Sequence, residues 1–198
     1  MVMKSMTEFK KLEPLLERPL FRASDAKELG VSSSLLAYYV KQGLIERVAR
    51  GVYRKPGVTP DVDFMWEDLV VTANSISNGV VCLISALSVY ELTEEIPRKH
   101  WIAIPNATTA PKRKNIKAVR MRDIDTDVTT ISLGGENIKI FTKERTLVDA
   151  FRFLSKEVAI KALRQAIKGD KKINLKKLQS LAKKLRVDID PYLVTVTT

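Results

Sequence analysis

Histidine and cysteine are almost absent from this chain of 198 residues, which contains one of each. Zinc sites draw most of their ligands from these two residue types, so we predict no such metal centre. His100 lies in the sequence Arg-Lys-His-Trp beside no nucleophile motif, and Cys82 lies in an apolar run that is typical of a core residue. Because no catalytic constellation is recognisable, we predict neither an enzymatic activity nor a cofactor.

Long hydrophobic runs are also missing. No segment approaches the roughly 20 apolar residues of a membrane span, and the first residues lack the apolar stretch of a signal peptide. With one cysteine and 45% hydrophobic residues, we expect a soluble, globular, cytoplasmic protein with no membrane partner.

Acidic residues are in the minority. The chain has 34 Lys and Arg against 23 Asp and Glu, which gives a formal net charge of +11. The excess is spread over residues 1–60, 98–122 and 156–186. A polyanion, and nucleic acid first, is therefore the expected partner. The alternative is a lysine-rich surface that serves only solubility.

Two apparent ligand motifs are incomplete. Asp123, Asp125 and Asp127 have the spacing of a calcium loop, but Val128 stands where that loop needs Gly and Gly134 where it needs Glu. The segment Gly-Gly-Glu-Asn at 134–137 precedes a predicted strand and has no Walker lysine, which favours a hairpin turn. Both segments are typical of polar turns between strands.

Residues 23–56 predict two short helices followed by a β-hairpin. Ser24 can cap a helix that ends at Gly30, and Ser32 can cap a second helix that ends at Gly43. Helical spacing turns Leu36, Tyr39 and Val40 inward. The outer face of the second helix comprises Ser33, Ser34, Ala37, Tyr38 and Lys41, and these residues together with the cap Ser32 are the candidate DNA contacts.

A face that is small at its start and polar along its length suits a helix that enters the major groove. After this helix, Ile45–Val48 and Val52–Arg54 alternate around a turn in which Gly51 supplies a positive φ. The predicted wing carries Arg47, Arg50 and Arg54. The hypothesis is a winged helix-turn-helix that binds DNA, and an ordinary helical hairpin with a basic surface is the alternative.

The rest of the chain predicts an α+β fold. A first helix is predicted at Thr7–Leu16, and two breakers at 57–63 predict a linker between a domain at 1–57 and a second, mixed α/β domain at 64–198. Helices are predicted at 66–75, 84–92, 144–154, 157–168 and 175–185, and strands at 101–104, 119–122, 129–133 and 138–141. An i,i+4 ion pair is predicted between Arg145 and Asp149.

Two helices of the second domain are amphipathic with concentrated positive faces, which suits phosphate contacts or an acidic protein surface. Solvated helix surfaces are the alternative. These cations are Lys161, Arg164 and Lys168 on one helix and Lys176, Lys177, Lys183 and Lys184 on the next.

Four segments read Leu-Phe-Arg-Ala-Ser-Asp at 20–25, Gly-Val-Ser at 30–32, Gly-Leu-Ile-Glu-Arg-Val-Ala-Arg-Gly-Val-Tyr-Arg at 43–54 and Ile-Phe-Thr-Lys-Glu-Arg-Thr-Leu-Val-Asp-Ala-Phe-Arg at 140–152. The order and spacing of these segments extend over both predicted domains. In them the chain resembles the AbiEi-type antitoxins of type IV toxin–antitoxin systems.

The resemblance implies a bacterial protein that acts in abortive phage infection, with a winged helix-turn-helix and a C-terminal antitoxin domain. Such a protein binds inverted repeats in double-stranded operator DNA and represses its own operon. It opposes a nucleotidyltransferase-like toxin, usually without a stable complex between the two proteins. The alternative from another class is an interaction module whose basic face binds an acidic partner, or the toxin itself, without specific DNA recognition.

Overall fold

The computed structural model describes residues 7–61, 64–169 and 173–197, and it combines α-helices with two β-sheets. The predicted α+β class is confirmed. The chain divides into two compact units, Met1–Ser77 with Ile131–Ile138, and Asn78–Thr130 with Lys139–Thr198. The division falls later than the predicted linker at 57–63, and the predicted domain limits of 1–57 and 64–198 stay a prediction about independent folding.

The first unit contains four helices and a three-stranded sheet within Glu13–Asn74. Residues 7–10 are also helical. In chain order the elements are α1 Glu13–Leu16, β1 Phe21–Arg22, α2 Ala23–Glu28, α3 Ser33–Lys41, β2 Glu46–Ala49, β3 Val52–Arg54 and α4 Phe64–Asn74. The strands pair antiparallel in the order β1-β3-β2. Two helices followed by a hairpin are compatible with the predicted winged helix-turn-helix.

Two predictions for this unit are wrong in detail. The single helix predicted at Thr7–Leu16 is interrupted by a turn, and α1 restarts with Pro14 in its first turn, where the missing N–H of proline costs nothing. Ser24 is not a cap but lies inside α2, which begins at Ala23. The carboxylate of Asp25 instead accepts the N–H of Arg22 at 2.9 Å, so the helix start is satisfied by the acidic side chain.

The core of the first unit lies between its helices and its sheet. Leu36 and Tyr39 of α3 are fully buried, and Leu12, Phe21 and Ile45 pack in the same cluster. The rings of Phe9 and Tyr39 meet edge to face at 5.0 Å between centroids. This packing holds α3 by its inner face and leaves its outer face to solvent.

The second unit contains a mixed sheet and five helices among the residues that the structure describes. The elements that lie wholly or, for β7 and β8, partly in this unit are β4 Val80–Val81, α5 Leu83–Val89, β5 His100–Pro105, β6 Ile116–Met121, β7 Val128–Leu133, β8 Glu136–Phe141, α6 Lys143–Phe153, α7 Lys156–Lys168, α8 Leu175–Lys184 and α9 Asp190–Thr197. The five strands follow the order β6-β5-β4-β8-β7. The predicted strands and helices are each found within a few residues, and residues 131–138, around the β7–β8 turn, belong to the first unit.

The helices α5 to α9 of the second unit share one large apolar cluster that includes Leu87, Leu147, Leu163 and Leu178. The side chains of Arg145 and Asp149, both on α6, are fully buried. The distance between the Arg145 Nε and the Asp149 Oδ2 is 2.8 Å. The predicted i,i+4 ion pair is therefore confirmed. Among the described residues, no helix combines the length and apolar character that crossing a bilayer requires.

Candidate nucleic-acid interface

The helix α3 begins where the sequence predicts. Ser32 is its N-cap, and the Ser32 Oγ accepts the N–H of Leu35 at 3.3 Å. The preceding turn needs Gly30, which has a φ of +81°, and the N–H of Val31 donates to the Ala26 carbonyl at 2.8 Å. A four-residue turn thus joins α2 to α3, in the manner of a helix-turn-helix.

The outer face of α3 is open to solvent. Each side chain assigned to this face by helical spacing is exposed, and Tyr38 retains 39% of its accessible surface. The exposed set comprises Ser32, Ser33, Ser34, Ala37, Tyr38 and Lys41. The side chains in the first turn are serines, so nothing bulky blocks the approach of a base edge, and hydroxyl and ammonium donors follow along the helix.

The wing is a short hairpin with a bulge. Its register shifts between Arg47 and Ala49, and Gly51 has a φ of +73° in the turn. Arg50 is exposed at the tip. The Nε of Arg47 donates to the carbonyl of Ala49 at 3.4 Å, so part of its guanidinium lies along the wing backbone. The turn thus places the cation of Arg50 on an exposed tip.

Arg54 differs from the other predicted wing cations because its guanidinium is partly buried in ion pairs. Its Nε lies 2.8 Å from the Glu46 Oε2, and its Nη1 lies 3.3 Å from the Glu67 Oε1 on α4. Arg22 makes a similar contact, with 3.0 Å between its Nη2 and the Asn74 Oδ1. The pairs formed by Arg54 and the contact of Arg22 fasten the sheet to α4, so these two guanidinium groups are partly committed inside the unit.

The cations predicted for the second unit fall into two groups. Lys161 pairs with Glu157 at 2.7 Å, and Lys177 pairs with Asp127 at 2.8 Å and with Glu144 at 3.7 Å. The hydrogen bond to Asp127 raises the pKa of Lys177. Lys161 stays exposed within its pair. The other five cations of the two predicted faces are exposed and have no ion pair among the described residues, namely Arg164, Lys168, Lys176, Lys183 and Lys184. The structure therefore leaves six of the seven exposed, five of them unpaired among the described residues.

One buried carboxylate of the first unit was missed by sequence reasoning. Glu136, in the segment predicted as a hairpin turn, is 2% exposed, and its Oε1 accepts the N–H of Leu20 at 3.0 Å. Burial raises the pKa of Glu136, while the Leu20 hydrogen bond and Arg18 act against that shift. The partners are 116 residues apart, so no local pattern could reveal the contact.

Two other sequence interpretations concern metal and thiol chemistry. The Cys82 thiol is fully buried and burial raises its pKa, as expected of a core cysteine. No cluster of three or more His, Cys, Asp or Glu residues is arranged to hold a metal ion in the parts of the chain described here.

A known protein family matches the segment that contains α2, α3 and the wing. Residues 11–56 match the family described as transcriptional regulator, AbiEi antitoxin. No curated protein matches the chain. The resemblance drawn from the sequence is confirmed for this segment, which contains α2, α3 and the wing. The likeness of residues 140–152 lies outside the matched residues and stays a prediction.

Proposed function

We propose that this chain is a DNA-binding autorepressor that also counteracts a toxin, because residues 11–56 match a family of AbiEi antitoxin regulators. In this proposal residues 11–56 form a winged helix-turn-helix that binds an inverted repeat upstream of its own operon. The toxin is a nucleotidyltransferase-like protein of a type IV system, and both proteins act in the bacterial cytoplasm. The chain itself performs no catalysis.

The observation that carries the DNA proposal is the exposed outer face of α3. Leu36 and Tyr39 hold this helix against the core, while Lys41 and the small polar residues before it face solvent. A rigid helix loses little conformational entropy when it enters the major groove. Lys41 and Arg50 are the cations we assign to DNA, because neither has an ion pair among the contacts of the described residues.

The pairs of Arg54 suggest a positioning role in the same mechanism. Its guanidinium links Glu46 of the wing to Glu67 of α4, so it orients the wing, and Arg50 contacts the minor groove or the backbone. Cations of the second unit, such as Lys176 and Lys184, bind further phosphates and make the affinity dependent on salt. Replacing one cation that binds a phosphate reduces the salt slope by about 1.

The experiment is fluorescence anisotropy of the full chain on its upstream duplex over a range of salt concentrations. The double variant Lys41→Ala/Arg50→Ala is expected to bind at least about tenfold more weakly, with a salt slope reduced by about 2. Lys10→Ala is the matched control, since Lys10 is an exposed cation of the same unit that belongs to neither α3 nor the wing. Equal affinity of the double variant and the control would contradict the assignment.

Antitoxin action is tested with the same double variant in cells that express the toxin. If repression and toxin neutralisation reside in different parts of the chain, the variant loses repression of the operon and still rescues growth. A stable complex with the toxin on co-purification, together with unselective DNA binding, would instead favour the interaction module with an acidic partner. The exposed lysines of α7 and α8 are the feature that supports this second candidate.

A further inference from the structure

A cleft in the second unit brings together three cations that the DNA proposal does not use. It has a volume of about 560 Å³ and lies where the end of α6, the start of α7 and the beginning of α9 meet. Arg152, Lys156 and Arg186 line it. The one acidic side chain among its described lining residues is Asp188, whose Oδ1 accepts the N–H of Asp190 at 3.2 Å. The cleft thus has an excess of positive charge.

Arg152 is held in place by an ion pair with a buried carboxylate. Its Nη1 lies 2.8 Å from the Oδ1 of Asp149, and the other oxygen of that buried carboxylate is bound by Arg145. The Cζ of Arg152 lies 4.9 Å from the centre of the Phe153 ring. A guanidinium anchored through one nitrogen keeps further N–H donors, and it loses little side-chain entropy when an anion binds.

Arg186 occupies a backbone position that favours glycine. It follows α8 with a φ of +57°, and the N–H of Val187 donates to the Ala182 carbonyl at 2.8 Å, which closes the turn. A non-glycine residue in this region is strained, and glycine would relieve that strain. Its side chain is exposed and has no ion pair among the contacts of the described residues.

Lys156 adds a third cation at the first turn of α7, a helix of 13 residues whose positive end favours anions. Beside it, the rings of Phe151 and Tyr192 stack with 4.9 Å between centroids, and both are partly buried. The Lys156 Nζ lies 5.9 Å from the centre of the Tyr192 ring. Cations and an aromatic pair in one cleft match a ligand with a phosphate and a flat aromatic ring.

We propose that this cleft binds a mononucleotide, with its phosphate on Arg152, Lys156 and Arg186 and its base against Phe151 and Tyr192. The volume is within the range of small-molecule sites. The site lies wholly in the second unit and involves none of the residues assigned to DNA. Failure of the nucleotide proposal would therefore leave the proposed repressor function unaffected, and failure of the repressor function would leave the nucleotide proposal unaffected.

The test is isothermal titration of the full chain with AMP, with adenosine, with inorganic phosphate and with a single-stranded oligonucleotide. AMP is expected to bind at least about tenfold more tightly than adenosine or phosphate alone, because only AMP engages both halves of the cleft. Equal binding of AMP and adenosine would overturn the proposal, as would binding of the oligonucleotide without binding of AMP. Absence of heat with AMP at millimolar concentration would overturn it as well.

Arg186→Gly provides a variant that keeps the fold. Glycine relieves the positive φ, so the melting temperature is expected to stay equal or to rise, while the affinity for AMP falls about tenfold or more. Lys139→Ala is the matched control, because Lys139 is an exposed cation of the second unit that does not line the cleft. Equal decreases in the affinity of the two variants would mean attraction by surface charge alone and would contradict the proposal. Lys156→Met is a second variant, and its unchanged affinity would contradict it too.

Discussion

Replacement of Arg145 is expected to destabilise the second unit strongly. Its side chain is fully buried, and its Nε lies 2.8 Å from the Oδ2 of Asp149. Its Nη1 donates to the carbonyls of Asp123 at 3.0 Å and Thr126 at 2.8 Å, and its Cζ lies 4.4 Å from the centre of the Phe141 ring. One guanidinium thus ties α6 to the loop that precedes β7.

Arg145→Met keeps much of the volume and removes every donor. Asp149 then stays in the core with Arg152 as its remaining cation. Breaking a buried pair by removing one partner costs about 3–5 kcal/mol. Since small domains have unfolding free energies of about 5–15 kcal/mol, this decrease is a large part of the total. Arg152→Met is the matched control, because it removes the partly exposed partner of the same carboxylate, and we expect a decrease of about 1 kcal/mol.

The pH dependence of the stability of the Arg145→Met variant gives a second, independent test of the buried pair. Burial raises the pKa of Asp149, and Arg145 acts against that shift. Without Arg145 the pKa of Asp149 in the folded state rises further, so the Asp149 carboxylate of the variant binds a proton more tightly in the folded than in the unfolded state. Its stability therefore increases as the pH falls through that raised pKa, and its deficit relative to the wild type shrinks in acid.

The assay is urea denaturation followed by tryptophan fluorescence at neutral and acidic pH. A deficit below about 1 kcal/mol at neutral pH would refute the assigned role of the pair, since it is far under the cost of an unpaired buried charge. A deficit that grows in acid would refute the linkage argument. In the double variant Arg145→Met/Asp149→Leu, part of the stability is expected to return, because no unpaired charge is left.

Two further predictions concern buried groups. Glu136→Ala leaves the N–H of Leu20 without its acceptor and is expected to lower the unfolding free energy by about 1–3 kcal/mol. Glu136→Gln keeps a hydrogen-bond acceptor and removes the ionisable carboxyl group. Because the raised pKa of Glu136 means that its ionisation opposes folding, this variant is expected to be no less stable than the wild type at neutral pH. A decrease in urea denaturation equal to that of the alanine variant would count against this. The Cys82 thiol is expected to resist a thiol reagent until the protein unfolds, because it is fully buried with a raised pKa; rapid labelling of the native protein would show that the interior opens readily.

The features that the sequence predicted well depend on neighbours along the chain. Ser32 caps its helix, since a cap needs only a side-chain oxygen just before the first turn. Gly51 and the pair of Arg145 with Asp149 follow equally local rules of turn geometry and helical spacing. The outer face of α3 was predictable for the same reason.

The features that the sequence did not predict depend on residues that the fold brings together. Glu136 reaches Leu20 across 116 positions, and Arg54 is paired with Glu67. A helical wheel or a hairpin pattern shows which cations are exposed, but it does not show which of them form an ion pair with a carboxylate from another element. The error at Ser24 is different, because Asp25 offered a competing acceptor for the same helix start.

The measurement that tests the central claim most directly is the mobility shift of the full chain on its own upstream duplex and on a scrambled duplex of equal length, at low and moderate salt. Specific recognition by α3 predicts that retention of the upstream duplex persists at moderate salt after the scrambled duplex is released. Equal retention of both duplexes, with release of both at the same salt concentration, would mean that the net charge of +11 acts without sequence recognition, and would contradict the repressor account.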